Sequence, residues 1–422
     1  MWLARVATES LFASYLETIS ETSLREITWP APAALRRAGF FIREPPTSRA
    51  RCVASPRFKA RSLLEGYERA GLSVAAIASH SALDVFDGAK DEGLKTIAIC
   101  QRGREKTYFR FKRVVDHHVV LDKFSDIVRR DVVEELRRRS AIVVPNRSMA
   151  VYVGYDAIES SLPVPVFGNR YLLRWEERSG EKNYYRLLDE AGVRRPRVFS
   201  SIEEIDVPVI VKMPHARRRV ERGFFVALDS DDLKRRLSKL EEAGIVRRED
   251  LARASIEELV LGAHFNVNYF VSVARGEVEL LSVDRRIQTS LDGLLRLPAD
   301  VQLRVSEVLG VEMVEIGHEA ATVRESALER LFEVGDRVVE AAERLEPPGI
   351  LGPFTLQLAI TPDLDVVVFD VALRVGGGTN VYMGLGSQYS KLYFGRPLSL
   401  GRRIALEIRE CAEIGCLEEI IT

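Results

Sequence analysis

Cysteine is scarce in this chain, with Cys52, Cys100, Cys411 and Cys416 as the only four in 422 residues. They are scattered, and the five-residue step between the last two is not a zinc-knuckle spacing, so buried or surface thiols in a reducing cytoplasm are expected. Long apolar runs are missing as well. None approaches the roughly 20 residues of a membrane helix. The brief cluster Leu11–Leu16 runs into acidic residues, which a secretory leader does not do. Neither sign of charge dominates, since 61 basic and 62 acidic side chains leave a net −1, and nucleic acid or a membrane surface is therefore not expected as the main partner. Internal repeats are absent. What remains is 46% apolar and 29% charged, the composition of a soluble globular protein, at a length that suggests two or three domains.

Residues 1–60 mix Arg, Pro, Ser and Thr with short apolar clusters and show no sustained period. Pro30-Ala31-Pro32 and Pro45-Pro46 would break any long element there. The segment reads as a flexible extension, or as an upstream mis-start of the reading frame, without chemistry of its own. Regular patterning begins near residue 70. Strand-like runs at Ser73–Ser79, Thr96–Cys100, Val114–Asp122 and Ala141–Pro145 alternate with helical spacing at Ala82–Glu92 and Val132–Arg139. That alternation predicts a parallel α/β domain over 61–165, with sites at the strand C-terminal ends. The second half reads as α+β. A helix at Lys182–Glu190 precedes strands at Val209–Met213 and Gly223–Leu228, a helix at Asp231–Glu242 and a strand at Ile256–Val260. Two hairpins follow, Phe265–Val273 with Glu277–Ile287 and Phe354–Ile360 with Asp365–Leu373, separated by an amphipathic helix at Glu325–Leu345.

Four features of the second half carry chemistry. The hydrophobic strand 209–211 delivers Lys212 to a long basic turn, a plausible cover for a polyphosphate; alone it would be a snorkelling surface lysine. The strand end Glu257-Glu258-Leu259-Val260 offers backbone groups to an adenine edge and carboxylates to its amino group or ribose. Gln357 and Asp370 face one another across the last hairpin, where oxygen ligands could share Mg²⁺ with phosphate oxygens; the plainer reading is a wet sheet face. Arg374 precedes Gly376-Gly377-Gly378, which let backbone approach an anion beside a permanent charge. In the first half, Ser79-His80-Ser81 and Pro145-Asn146-Arg147-Ser148 each follow a strand and open a helix, the setting of a phosphate and ribose pocket or simply of helix caps.

In order along the chain, these features resemble the archaeal formate-dependent ATP-grasp synthetases of purine biosynthesis. The likeness spans about Leu72 to Thr422. It rests on Ser79–Leu83, Asp87–Gly93, Ala141–Pro145, Phe167–Arg170, Leu173–Glu176, Asp292-Gly293, Pro347–Phe354, Gly377–Asn380 and Gly401–Ala405. The resemblance implies a parallel α/β pre-ATP-grasp domain, then an ATP-grasp domain over 166–422 with two antiparallel-sheet subdomains and a lid at about 196–262. It implies a cytoplasmic ligase, assembled as a homo-oligomer, that uses ATP and Mg²⁺ to join formate to the amine of an AICAR-like nucleotide through formyl phosphate. Carried over, His80, Ser148 and Ser290 bind the nucleotide substrate, and Lys212, Glu257, Glu258, Val260 and His264 bind ATP. Gln357 and Asp370 hold the metal, and Arg374 stabilises the transferring group. The chain departs from the family at Arg217–Glu221, where a glycine-rich lid is usual and where non-glycine residues at positive φ would cost roughly 1–2 kcal/mol each. It departs also at Gln288 and Ser290, which replace Glu and Asn, and at Asp370, which replaces Glu. A sister ligase with another acceptor and a non-catalytic nucleotide-binding paralogue are the alternatives.

Overall fold

The computed structural model describes residues 58–212, 224–242, 254–309 and 314–422. Nearly all of the expected N-terminal extension, Cys52, and the Arg217–Glu221 turn lie outside the described residues. Strand β1 (Ser73–Ile77) is buried at all five positions, as a run of small and β-branched residues must be when both faces of a parallel sheet are covered. It lies between β2 (Lys95–Gln101) and β4 (Ala141–Val143), with β3 (His117–Leu121) at the edge. All pairings are parallel, and Ser73 is opposite both Lys95 and Ala141. β1 and β4 adjoin although they are distant in sequence, so a crevice opens where their C-terminal ends diverge. The ladder of β3 begins at His117 rather than Val114. Thr96 Oγ1 donates to the Val114 carbonyl (2.8 Å), and the Asp116 carboxylate accepts from Thr96 N–H and Lys90, each at 2.8 Å, which holds residues 114–116 outside the sheet.

The second sheet is small and antiparallel, in the order β5 (Val198–Phe199), β8 (Ser255–Glu258), β6 (Val209–Lys212) and β7 (Phe224–Ala227). Phe199, Val209, Val211, Ala227 and Leu233 make its core. The third is the antiparallel platform β11 (Glu315–Ala320), β10 (Glu277–Gln288), β9 (Ala263–Ser272), β12 (Gly352–Ile360) and β13 (Val366–Ala372). Both expected hairpins are present. Periodicity does not reveal that β9 and β12 pair at the centre, nor that β11 extends the sheet. The first helices, α1 (Ala82–Asp91), α2 (Arg130–Arg138) and α3 (Arg147–Val153), belong to the parallel sheet. Helix α4 (Tyr184–Glu190) starts two residues later than expected because the Asn183 side chain caps it at Arg186 N. Helix α5 (Ser230–Glu242) borders β7, and α6 (Glu325–Leu345) packs on the platform beside α4, its Leu331 and Val338 sharing a core with Tyr269 and Phe354. Among the described residues no helix is long and apolar enough to cross a membrane.

Helix α7 (Leu400–Ile414) joins the parallel sheet to the platform. Leu400, Ile404 and Ile408 share one apolar cluster with Val74 and Ile142 of the first and Phe270 and Leu281 of the second. Within that cluster Arg403 is 0% exposed. It donates two hydrogen bonds to Glu279 (both 2.8 Å) and lies 2.9 Å from Glu407, under the ring of Phe270. After α7, Gly415 takes φ 88° and turns the chain back, so that Cys411 and Cys416 approach to 4.6 Å between Cα atoms and form a disulfide. Free thiols are expected at both positions from sequence; the left-handed turn at Gly415 brings them together. Cys100 remains a buried thiol.

Removing Arg403 strands two buried carboxylates. Arg403→Ala is expected to destabilise the fold by about 3–5 kcal/mol, as for other broken buried pairs. Urea denaturation followed by circular dichroism checks this; a loss below about 1 kcal/mol would mean the carboxylates find water or protons without cost.

Candidate active site

The turn leaving β1 is held in an unusual shape. His80 has φ 54°, a region in which non-glycine residues are uncommon. Its neighbours pin it there. Ser81 Oγ donates to the Gly376 carbonyl (2.5 Å), and Asn146 Nδ2 donates to the carbonyls of Ile77 (2.9 Å) and Ser79 (3.0 Å). Asn146 Oδ1 also caps α3 by accepting from Met149 N. One asparagine thus stitches the β1 turn to the helix after β4. Ser148 is buried on the first turn of that helix. An asparagine just before a helix carries the signature of an N-cap, but sequence does not reveal its second partner.

The glycine run threads between this turn and the platform. A Cβ at Gly376 would lie 2.7 Å from Thr355 Oγ1, one at Gly377 2.8 Å from His80 Cε1, and one at Gly378 2.0 Å from Asp284 Oδ2. The glycines are therefore packed, not loose. Just before them Arg374 donates to the Val375 carbonyl and faces Glu176, with Nε and Oε1 3.3 Å apart. Glu176 also accepts from Leu373 N (2.8 Å) and lies 3.4 Å from Arg147. His80 is solvent-exposed, but the protein packed around it, and then the adjacent Arg374 charge, push its imidazole down to about 4. His80 is neutral at pH 7.

Beyond the glycines lies the polar face of the platform. Asn266 and Asn268 alternate with the core residues Val267 and Tyr269, and both donate to the fully buried Asp284 carboxylate at 2.7 Å. His318 Nδ1 meets Asp284 Oδ2 at 2.7 Å, and its Nε2 meets Glu315 Oε1 at 3.0 Å. Burial opposes a charge on His318, but the hydrogen bonds to Asp284 and Glu315 outweigh it and raise the imidazole to about 9. Glu315 Oε2 pairs with Arg286 Nε (2.9 Å), and Arg286 donates on to Gln357 Oε1 (2.5 Å). Polar residues two apart in an apolar strand, as at Asn266 and Asn268, are a readable sign of a face turned to a site. His318, Glu315 and Arg286 carry no such sign.

Gln357 is paired in register with Asp370, and the ladder slips immediately afterwards so that Phe369 bulges out. Such bulges re-aim side chains beside functional sites. The Phe369 ring meets His264 at 5.1 Å. Burial, joined by the Asp370 charge, pushes the Tyr184 phenol up; the same phenol feels Glu257. The exposed Arg178 also feels the Asp370 charge, which favours its protonated form. Tyr185 packs on Tyr184 at 4.4 Å between ring centroids and donates to Glu257 Oε1 (2.6 Å), whose other oxygen accepts from Lys212 Nζ (2.6 Å). Lys212 and Glu257 therefore meet directly. Tyr185 thus joins Glu257 to Tyr184, whose phenol feels the Asp370 charge without a hydrogen bond to it, and Arg286 connects Gln357 to the Glu315–His318 pair beside His80.

Three expected residues stand apart. Glu258 points to the opposite face of β8, as adjacent strand residues do, and accepts from Arg197 N (3.2 Å). Val260 lies just past the end of β8, since the ladder stops at Glu258 and Leu259 N donates to the Pro208 carbonyl; its backbone faces His264. Ser290 sits in the turn after β10 at φ 60°, in a loop tied by Gln288 N donating to Asp292.

Residues 74–199 match a family described as a protein of unknown function (DUF1246), and 232–422 match a domain of unknown function (DUF1297). A protein of Methanothermobacter thermautotrophicus named 5-formaminoimidazole-4-carboxamide-1-(beta)-D-ribofuranosyl 5'-monophosphate synthetase is 45% identical over 361 residues, 85% of this chain and 97% of that protein. The chain belongs to this synthetase family. The crystal structure of the IMP biosynthesis protein PurP from Thermococcus kodakaraensis matches with a TM-score of 0.64 and 32% identity, over 83% of this chain and 100% of that one. An N5-carboxyaminoimidazole ribonucleotide synthetase, solved as an ADP complex, matches at TM-score 0.52 and 14% identity over 78% of each chain. That more distant likeness is one of fold, and the fold is ATP-grasp.

The two histidines make opposite contributions to stability with pH. His80 falls from 6.5 to about 4 on folding, so the unfolded chain binds more protons in that window and stability rises with pH there. His318 rises from 6.5 to about 9, so its contribution is complete below 6.5 and is lost as pH climbs through 9. Denaturation midpoints should therefore peak between the windows, and His318→Gln should flatten the alkaline side, worth on the order of 3 kcal/mol. An unchanged alkaline slope in that variant would contradict the assignment.

Proposed function

We propose that the protein is an ATP-dependent carbon–nitrogen ligase that formylates the 5-amino group of AICAR to give FAICAR, in IMP biosynthesis. Membership of the synthetase family supports the substrates, and the ATP-grasp fold implies the use of ATP. The observation that carries the reading is that the Tyr184–Tyr185 pair is bonded through Tyr185 to Glu257, the partner of Lys212 on the small sheet, and feels through Tyr184 the charge of Asp370, which is paired in register with Gln357 on the platform.

ATP lies between the small sheet and the platform, with Lys212 against its phosphates, Glu257 and the Val260 backbone at the nucleoside, and His264 near the ribose. Glu258 supports this edge from behind through Arg197. Gln357 and Asp370 present two hard oxygen donors side by side. Among the described residues no group of three or more acidic, histidine or cysteine side chains gathers as a metal cage. Mg²⁺ takes one or two protein ligands and completes its shell with phosphates and water. Gln357 and Asp370 would hold it, and it would supply charge neutralisation on the phosphates. The parallel domain, over 61–165, binds AICAR in the β1/β4 crevice through His80 and Ser148, with Ser290 toward the carboxamide.

Formate oxygen attacks the γ-phosphorus and ADP leaves, giving formyl phosphate. The work of the protein in this step is positioning and charge stabilisation. The amine nitrogen then attacks the formyl carbon, the C–N bond forms, phosphate departs with the C–O electrons, and nitrogen gives up a proton. Arg374 stabilises the oxyanion between these events. Glu176 fixes its guanidinium, and the packed glycines keep side chains out of its way.

Incubation of the protein with ATP, Mg²⁺, formate and AICAR should give ADP and a product heavier by one formyl group, each dependent on both substrates. Lys212→Ala should lower kcat/KM by roughly 10²–10³, the usual effect of removing one preorganised charge-stabilising group. ATP binding without formylated product would rule out AICAR as the acceptor and point to a sister ligase.

A further inference from the structure

The acyl-transfer step leaves a proton on nitrogen, and a group beside the reacting amine has to receive it. Four candidate bases surround the glycine crossing. Asp284 is fully buried, already accepts from Asn266, Asn268 and His318, and is capped by Gly378. Glu176 is engaged by Leu373 N, Arg374 and Arg147. His80 is a neutral imidazole beside Arg374, a weak base. Glu315 is also paired, to His318 and Arg286, but unlike Asp284 and Glu176 its side chain retains 22% exposure, and it stands at the first residue of β11 on the polar face of the platform.

Its position is also the required one. Glu315 Oε1 and His80 Cε1 approach the same point above Gly377, at 3.3 and 2.8 Å from where a Cβ would be. On its other side Glu315 is one guanidinium away from Gln357 through Arg286. It therefore lies between the residue that holds the acceptor nucleotide and the residue that faces the phosphates, where amine and acyl phosphate must meet. We infer that Glu315 takes the proton of the attacking amine, and that His318 and Arg286 are positioning residues that fix its two oxygens.

The inference rests on the formyl-transfer reading above. As the C–N bond forms, an N–H proton passes to a Glu315 oxygen, and collapse of the tetrahedral carbon releases phosphate, which carries the proton away. The nitrogen is an arylamine, strongly acidic once it is bonded to carbon, so an ionised carboxylate is base enough. His318 and Arg286 hold its two oxygens in place; Asp284, His80, Arg374 and Arg147 are the other charged or titratable groups around this cluster.

The test is steady-state kinetics of Glu315→Gln and Glu315→Asp beside the wild type. For Glu315→Gln, kcat should fall by about 10²–10⁴, the range for loss of a general base. The KM values for ATP, formate and AICAR should stay within roughly two-fold, because only the transition state loses an interaction. The acid limb of the kcat profile should disappear, and Glu315→Asp should recover part of the rate. A near-wild-type kcat in Glu315→Gln overturns the inference, as does a parallel loss of ATP affinity that Asp does not rescue, which would mark a structural role. If Glu315→Gln does not fold, His318→Gln serves: kcat should drop about tenfold at constant KM, and an unchanged kcat is again fatal. A wild-type protein that makes no formylated product sinks the functional reading itself, an outcome separate from any variant.

Discussion

The site depends on one close approach. Gly376, Gly377 and Gly378 pass between the His80 turn and the face of the platform with room for no side chain, and contact Thr355, His80 and Asp284 in succession. Without that approach the crevice of the parallel sheet and the polar face of the antiparallel one would be separate surfaces. With it, the two form one site, in which the proposed reaction would bring an amine held at one to a phosphoryl group held at the other. Glycine here is used for absence of volume more than for freedom of backbone.

Bringing so many charges together inside a protein is costly unless each is paired and hydrogen-bonded. The molecule meets this with chains rather than isolated pairs. Asp284 is satisfied by two asparagines and a histidine, Glu257 by Lys212 and Tyr185, and Glu176 by a backbone amide and two arginines. The same economy appears away from the site, where Arg403 is shared by Glu279 and Glu407 beneath α7. In each case the anion is fixed from behind, which leaves its geometry set before any ligand arrives. Preorganisation of this kind is what electrostatic catalysis demands.

Much of this is legible in the sequence, and the boundary has a physical cause. Periodicity discloses β1 to β4, both hairpins and α6 because each is a local pattern, but the regular hairpin register would set Gln357 opposite Phe369, and only the bulge there, which sequence does not reveal, brings Asp370 across from it. Lys212 and Glu257 are identifiable as polar residues ending apolar strands. Partners across long sequence separations are not. Asn146 binds the β1 turn 67 residues away, and Tyr185 reaches Glu257 across 72. Glu258 shows the converse, since two adjacent glutamates read alike in a sequence but must point to opposite faces of a strand. Likewise the Cys411–Cys416 pairing follows from the turn at Gly415, which spacing alone does not reveal.

The central claim is that the small sheet and the platform close on one triphosphate. It is tested most directly by a crystal structure with a non-hydrolysable ATP analogue, Mg²⁺ and AICAR. Lys212 Nζ should be turned from Glu257 to the phosphates, with Gln357 and Asp370 on the cation and the AICAR amine between His80 and the γ-phosphate. A nucleotide bound elsewhere, with Lys212 still on Glu257 and no cation at Gln357 and Asp370, would contradict it.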